Sequence, residues 1–227
     1  MTSATLRLAA AGLIGLAGVS AASALERVRG TIDKADASSV TLKTEAGSTE
    51  TIALTGAKVV SVVPSSLDQI KDGTFIGTAT KGENPMTALE VVLFPESMRG
   101  TAEGHYGWDA ITDHTTSGGK VKSAMTNGTV KAETGGGGPK VKSAMTNGTV
   151  KADKAAAGGD RTLTVSYGKD GSKQIVVPSS APIVAFEPAD TSVLKPGAKV
   201  FAVVDKDGGK ADGKLVAVGK DGLTPPM

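Results

Sequence analysis

The chain has 227 residues, with 25 Lys and Arg against 23 Asp and Glu, a formal net charge of +2 and no cysteine. That balance excludes a dedicated nucleic-acid surface, which needs a basic excess to displace counterions, and gives no steering field toward anionic lipid. The lack of cysteine excludes disulfides, thiol nucleophiles and a lipidated-cysteine anchor; with one Trp, two Tyr and four Phe, the core must come largely from Val, Ile, Leu and Ala.

Residues 1–24 read as a secretory signal. Arg7 gives the positive start, 8–19 is an apolar run, and Ala22-Ser23-Ala24 offers small residues to a peptidase. The run is too short to cross a hydrocarbon core of about 30 Å, and no later segment is apolar enough to span a bilayer as a helix. The expectation is cleavage after Ala24 and a periplasmic chain of residues 25–227. Loss of Arg7 leaves 24 basic against 23 acidic side chains.

Strands are predicted at 28–34 and 37–43, the latter with Val40 and Leu42 on one face. Ala46-Gly47 turns the chain into 49–54, where Ile52 and Leu54 alternate with Thr51, Ala53 and Thr55, the period of a half-buried strand. A denser apolar run at 58–63 is stopped by Pro64; 65–70 reads as one helical turn opened by a serine. Strands at 74–80 and 88–94 follow. A second set is predicted at 163–167, 173–177, 182–186, 198–205 and 214–219, with hairpin turns at Lys169-Asp170-Gly171 and Asp207-Gly208-Gly209.

The two sets are copies of one pattern. Ile52-Ala53-Leu54, the 58–63 run, Leu67, Ile70 and Lys71-Asp72-Gly73 correspond to Ile175-Val176-Val177, the 183–186 run, Val193-Leu194 and Lys195-Pro196-Gly197. Short strands around a helical turn match the OB-type barrel. The predicted architecture is therefore all-β: two tandem small OB-like β-barrels after a cleaved signal peptide, at 25–98 and 140–227. Residues 99–139 join them as a linker, and each half closes around its own aliphatic interior.

Inside that linker a second duplication begins. Residues 120–132 recur letter for letter at 140–152, with Glu133-Thr134-Gly135-Gly136-Gly137-Gly138-Pro139 between them, a composition suited to a flexible spacer. The later copy is predicted to fill the first-strand position of the second repeat, since Asn147-Gly148-Thr149-Val150 matches Arg29-Gly30-Thr31-Ile32. The earlier copy is then left over. It is expected to add to an edge, to pair with the later copy as a hairpin, or to hang in solvent; a spare strand suited to the same slot could also enter a neighbouring molecule and give a strand-swapped dimer.

Glu103, His105, Asp109, Asp113 and His114 fall within 12 residues and include both histidines of the chain. Imidazole and carboxylate suit Zn²⁺, Mn²⁺ or Fe²⁺, which makes His105, Asp109, Asp113 and His114 the candidate metal ligands. Gly104 and Gly107 argue against the helix that would put 105, 109 and 113 on one face. The competing reading packs His105, Tyr106 and Trp108 as an aromatic plug against a barrel. The acidic stretch 205–212 lacks the twelfth-position acid of a calcium loop and reads as a hairpin. Nothing in the spacing singles out a catalytic residue, so no enzymatic activity and no cofactor beyond that divalent ion is expected.

Arg29-Gly30-Thr31-Ile32, Val40-Thr41-Leu42 and Leu194-Lys195-Pro196-Gly197-Ala198-Lys199-Val200 are similar to a domain-of-unknown-function family of exported bacterial OB-like β-barrel proteins. Gly104-His105-Tyr106-Gly107-Trp108-Asp109, Met125-Thr126-Asn127-Gly128-Thr129-Val130 and the closing stretch 218–227 resemble its tandem-barrel proteobacterial members. These often carry the label "metal ABC transporter permease", although this chain has no set of spanning helices. The resemblance implies a periplasmic location and the barrel fold, and transfers no site. The expected function is a non-enzymatic, soluble periplasmic binding or scaffold protein whose partner is an envelope protein or a transporter component. The alternative is an accessory of a metal-uptake system that holds a divalent ion through the 105–114 segment.

Overall fold

The structure, a computed structural model, describes residues 25–83, 85–116, 118–131 and 159–227. The signal segment 1–24, the Gly-rich spacer and the later 13-residue copy lie outside the described residues. Within them the chain is all-β. The strands are β1 (Leu25–Ala35), β2 (Ser39–Thr44), β3 (Thr49–Ala53), β4 (Lys58–Pro64), β5 (Phe75–Lys81), β6 (Met86–Leu93), β7 (Gly104–Thr112), β8 (Lys120–Lys131), β9 (Arg161–Tyr167), β10 (Gly171–Val177), β11 (Ile183–Pro188), β12 (Lys199–Asp207) and β13 (Lys210–Gly219). Only single 3₁₀ turns interrupt them, including Leu67–Gln69 after β4 and Thr191–Val193 after β11. The second is capped by the Asp190 side chain, which accepts from the Ser192 amide; Ser66 supplies no such bond to the first. No helix among the described residues is long and apolar enough to cross a membrane.

The strands form one large mixed sheet in the order β10-β9-β8-β5-β6-β11-β4-β13-β12-β1-β2-β3, with β7 paired to β8. Two further parallel pairings, β13 with β3 and β10 with β6, turn each end of this path back on itself. The strands β1, β2, β3, β13 and β12 are thus linked pairwise in a circuit, and so are β8, β9, β10, β6 and β5. Each circuit mixes the two repeats. The first takes three strands from the front of the chain and two from its end; the second takes β8, β9 and β10 together with β5 and β6. The crossover is carried by β4 and β11, which pair antiparallel from Pro64↔Val184 to Val60↔Pro188.

The interiors follow the pairing. One apolar cluster joins Val28, Ile32, Val40, Leu42 and Ile52 to Val200, Val204, Val216 and Val218. Another joins Ile70, Ile76, Met86 and Val91 to Leu163, Val165, Ile175 and Val177. The expectation that 25–98 and 140–227 each enclose an interior of their own therefore gives way to two interiors that both repeats share. The physical reason is that the repeats carry the same inward-facing pattern, so a strand buries its apolar face equally well against either repeat. A third cluster, with Val62, Val92, Phe186, Phe201 and Met227, fills the space between the circuits.

The segment between the repeats also differs from its expected form. Part of the segment read as linker, Gly104–Thr112, is a strand, β7, hydrogen-bonded along β8 from Gly104↔Asn127 to Thr112↔Lys120. The earlier 13-residue copy is not left over either: it is β8, paired with β5 and β9 as well as β7. Its Gly128 is the counterpart of Gly30. A Cβ on Gly30 would meet the Lys43 carbonyl oxygen at 2.3 Å, and a Cβ on Gly128 would meet that of Ser166 at 2.3 Å. Both glycines allow the next strand to cross at close range.

Candidate binding cleft

β1 and β7 are joined by ion pairs. Asp109 on β7 accepts from two arginines of β1, Arg27 Nη1 and Arg29 Nη1, at 2.9 Å each. Arg27 lies over the Trp108 ring with its guanidinium 3.8 Å from the centroid, a placement that adds cation–π attraction to the ion pair. Arg29 Nε donates to the Met227 main-chain oxygen at 2.6 Å and so holds the closing segment against β1.

Beside Arg29 opens a cleft of about 660 Å³ lined also by Lys43, Glu45, His114, Lys120 and Lys199. Arg29 is engaged by Asp109, and Lys43 pairs with Asp33 at 3.0 Å. Lys199 donates to the Thr31 hydroxyl at 2.9 Å. Among the described residues neither Lys199 nor Lys120 has a carboxylate partner. Among the described residues the cleft is therefore lined by two lysines without a carboxylate partner and by one acidic side chain, Glu45.

The four candidate metal ligands lie along β7 and the turn after it without converging. His105 Nδ1 is 2.9 Å from the Thr126 hydroxyl, and its ring stacks on Tyr167. Desolvation, and then the charge of Lys173, lowers its pKa, which keeps the imidazole neutral. Asp109 is taken up by the two arginines. Asp113 is buried; against the desolvation that would raise its pKa, hydrogen bonds from Lys81, Thr115 and Thr116 hold it well below the carboxylate range. His114 lines the cleft instead. Glu103 accepts from the Gly168 amide at 2.9 Å. No group of three or more His, Asp or Glu side chains among the described residues is placed to hold a metal ion. The stretch 205–212 is a hairpin, with Asp207 paired to Lys210 across Gly208 and Gly209, both at positive φ.

One group escaped the sequence reading altogether. Glu90 of β6 is 1% exposed, and neither carboxyl oxygen has a hydrogen-bond donor among the described residues. Burial raises its pKa to about 8, with only partial relief from the charge of Arg29. Arg29 Nη2 and Trp108 Nε1 are likewise buried without a partner. A lone acid inside the apolar run Ala88-Leu89-Glu90-Val91-Val92 was the available signal.

With this geometry as the starting point, comparison of the chain with protein-family models, curated proteins and solved structures finds no match.

Proposed function

We propose that the chain is a non-enzymatic binding module of the bacterial envelope, exported to the periplasm, and that it takes an anionic ligand in the cleft beside Arg29. In this reading the two strand circuits are OB-like barrels that have exchanged strands between the repeats. Three features of OB topology support it: a parallel pairing between the third and last strands of each circuit, antiparallel pairing elsewhere, and a one-turn helix ahead of the fourth strand. The observation that carries the function is the cleft itself, lined by Lys120 and Lys199, neither of which has a carboxylate partner among the described residues. A lysine ammonium in that position has donors and charge to offer and binds carboxylate or phosphate oxygens as a point charge.

The test is calorimetric titration of the mature chain with inorganic phosphate, pyrophosphate and citrate, alongside a neutral disaccharide. Binding of at least one oxyanion, weakened about tenfold in Lys199→Glu and reduced by added salt, is expected. Saturable binding of the disaccharide with no oxyanion heat would overturn the anionic reading. The same titration with Zn²⁺ and Mn²⁺ checks the metal-uptake alternative: heat that His105→Ala and His114→Ala together abolish would favour it.

A further inference from the structure

The Arg29 side chain belongs to two places at once. It lines the cleft, and its guanidinium lies 5.3 Å from the ring centroid of Phe201, a buried member of the apolar cluster between the circuits. Its donors divide accordingly. Nε is taken by the Met227 main-chain oxygen and Nη1 by Asp109. Nη2 is buried, with no partner among the described residues. A guanidinium keeps its charge throughout the pH range of a folded protein, so Arg29 still has a donor and attraction to offer a negative charge beside it.

Glu90 borders the same interior. Its neighbours on β6 divide between two apolar clusters: Val92 belongs with Phe201, Leu89 with Ile111 and Met125, and Trp108 packs against both. Neither carboxyl oxygen of Glu90 has a donor among the described residues, and Trp108 Nε1 is buried without one to accept its hydrogen. The charged groups on the strands paired with β6 are engaged elsewhere: Lys81 of β5 with Asp113, Lys173 of β10 beside His105, and Glu187 of β11 with Lys220. Across the interior, Arg27 and Asp109 are paired with one another. Arg29 is the charge that acts on Glu90, favouring its ionised form against the effect of burial.

An ionised Glu90 therefore draws on the same guanidinium as an anion in the cleft. Two negative charges that share one arginine compete for it, and they also repel each other through a medium of low dielectric. Such competition is reciprocal: the factor by which the carboxylate weakens the ligand is the factor by which the ligand disfavours the carboxylate.

We propose that the cleft and Glu90 are coupled through Arg29, so that the site binds its anion together with a proton and loses affinity for it as Glu90 ionises. This rests on the anionic reading of the cleft and gives that site a regulator. The carboxyl takes its proton from solvent on binding and returns it on release. Burial pushes the Glu90 pKa up to about 8, which fixes the sign. Below that pH Glu90 is neutral and the whole charge of Arg29 serves the ligand; above it the carboxylate takes a share and the anion is held less tightly.

Sulfate, phosphate, pyrophosphate and citrate are each titrated calorimetrically into the mature chain and into Glu90→Gln, at pH 7, 8 and 9, in Tris and in triethanolamine. The two buffers differ in heat of ionisation, so the difference between them counts the protons taken up. Sulfate keeps one charge state over this range. The titration of the other anions, of His114 and of the cleft lysines is common to both proteins. In the parent, affinity is expected to fall by at least about fivefold from pH 7 to pH 9, with uptake of a fraction of a proton per anion at pH 8. Glu90→Gln should lose that uptake and bind sulfate at pH 9 within about twofold of the parent at pH 7. Glu90→Met, which fills the same space without a charge, replaces Glu90→Gln if the latter fails to fold. No proton uptake by the parent at pH 8, or a pH dependence that the variant shares, would overturn the coupling and leave the anionic reading standing. If none of the four anions binds the parent at pH 7, the anionic reading fails and the coupling falls with it.

Discussion

A carboxyl group with almost no solvent and no donor is expensive to ionise, and among the described residues Glu90 is such a group. Its pKa of about 8 lies above the ordinary 4.5, so between these values the folded chain keeps a proton that the unfolded chain has released. The stability that protonated Glu90 contributes should be fully present below about pH 4.5, fall as pH rises toward 8, and level off beyond. The slope is about 1.4 kcal/mol per pH unit, a total on the order of several kcal/mol. Urea unfolding at intervals between pH 4.5 and 8.5 measures it. Glu90→Gln, which cannot ionise, should flatten the profile and exceed the parent in stability at pH 8; a parallel profile would show that Glu90 is not the cause. Gly30 gives a residue-scale test of packing. Gly30→Ala drives a Cβ against the Lys43 carbonyl. A loss of about 1–3 kcal/mol is expected by chemical denaturation.

At the scale of elements, most strands were legible because a period of two with aliphatic side chains has few other readings. The 49–54 and 58–63 predictions match β3 and β4 to within a residue. β7 was not legible. Gly104, Gly107 and three polar or charged side chains obscure an alternation that Tyr106 and Trp108 do carry, and apart from the buried Ile111 that strand is half-buried or exposed. Its far end is fixed by Asp113, which links the β7–β8 turn to Lys81 at the end of β5. Here the sign is the reverse of Glu90. Hydrogen bonds outweigh desolvation and depress the Asp113 pKa, so its contribution is present above the ordinary carboxylate value and is lost as pH falls below it toward the depressed folded value. Asp113→Ala strands a partly buried Lys81 and should cost about 2–3 kcal/mol. Thermal melts at pH 7 and pH 3 should differ less in that variant than in the parent.

For the whole molecule, the consequential feature is that neither repeat owns an interior. Residues 25–131 and 161–219 meet in both strand circuits and in the β4–β11 crossover. A protease site placed within 133–139 and cleaved should leave two fragments that co-elute on gel filtration and melt together, because the strand pairings do not require that covalent link. Either fragment expressed alone should lack a cooperative transition, since each exposes half of both apolar clusters. Independent folding of residues 25–98 would contradict the exchanged arrangement. The candidate site was readable only in part for the same reason. The cluster of acids and histidines stood out by proximity in sequence, whereas Arg29, Lys120 and Lys199 come from three distant strands.

Taken alone, the order of residues determined that this chain is built from short strands, where most of them begin and end, and that two halves carry one pattern. It also revealed a 13-residue segment written twice. Alternation of apolar and polar side chains says which face of a strand is buried, but it leaves open against which strand. Where two halves offer near-equivalent faces, that choice rests on the path of the backbone through β4 and β11 and on the hydrogen bonds it closes, and only the tertiary structure decided it.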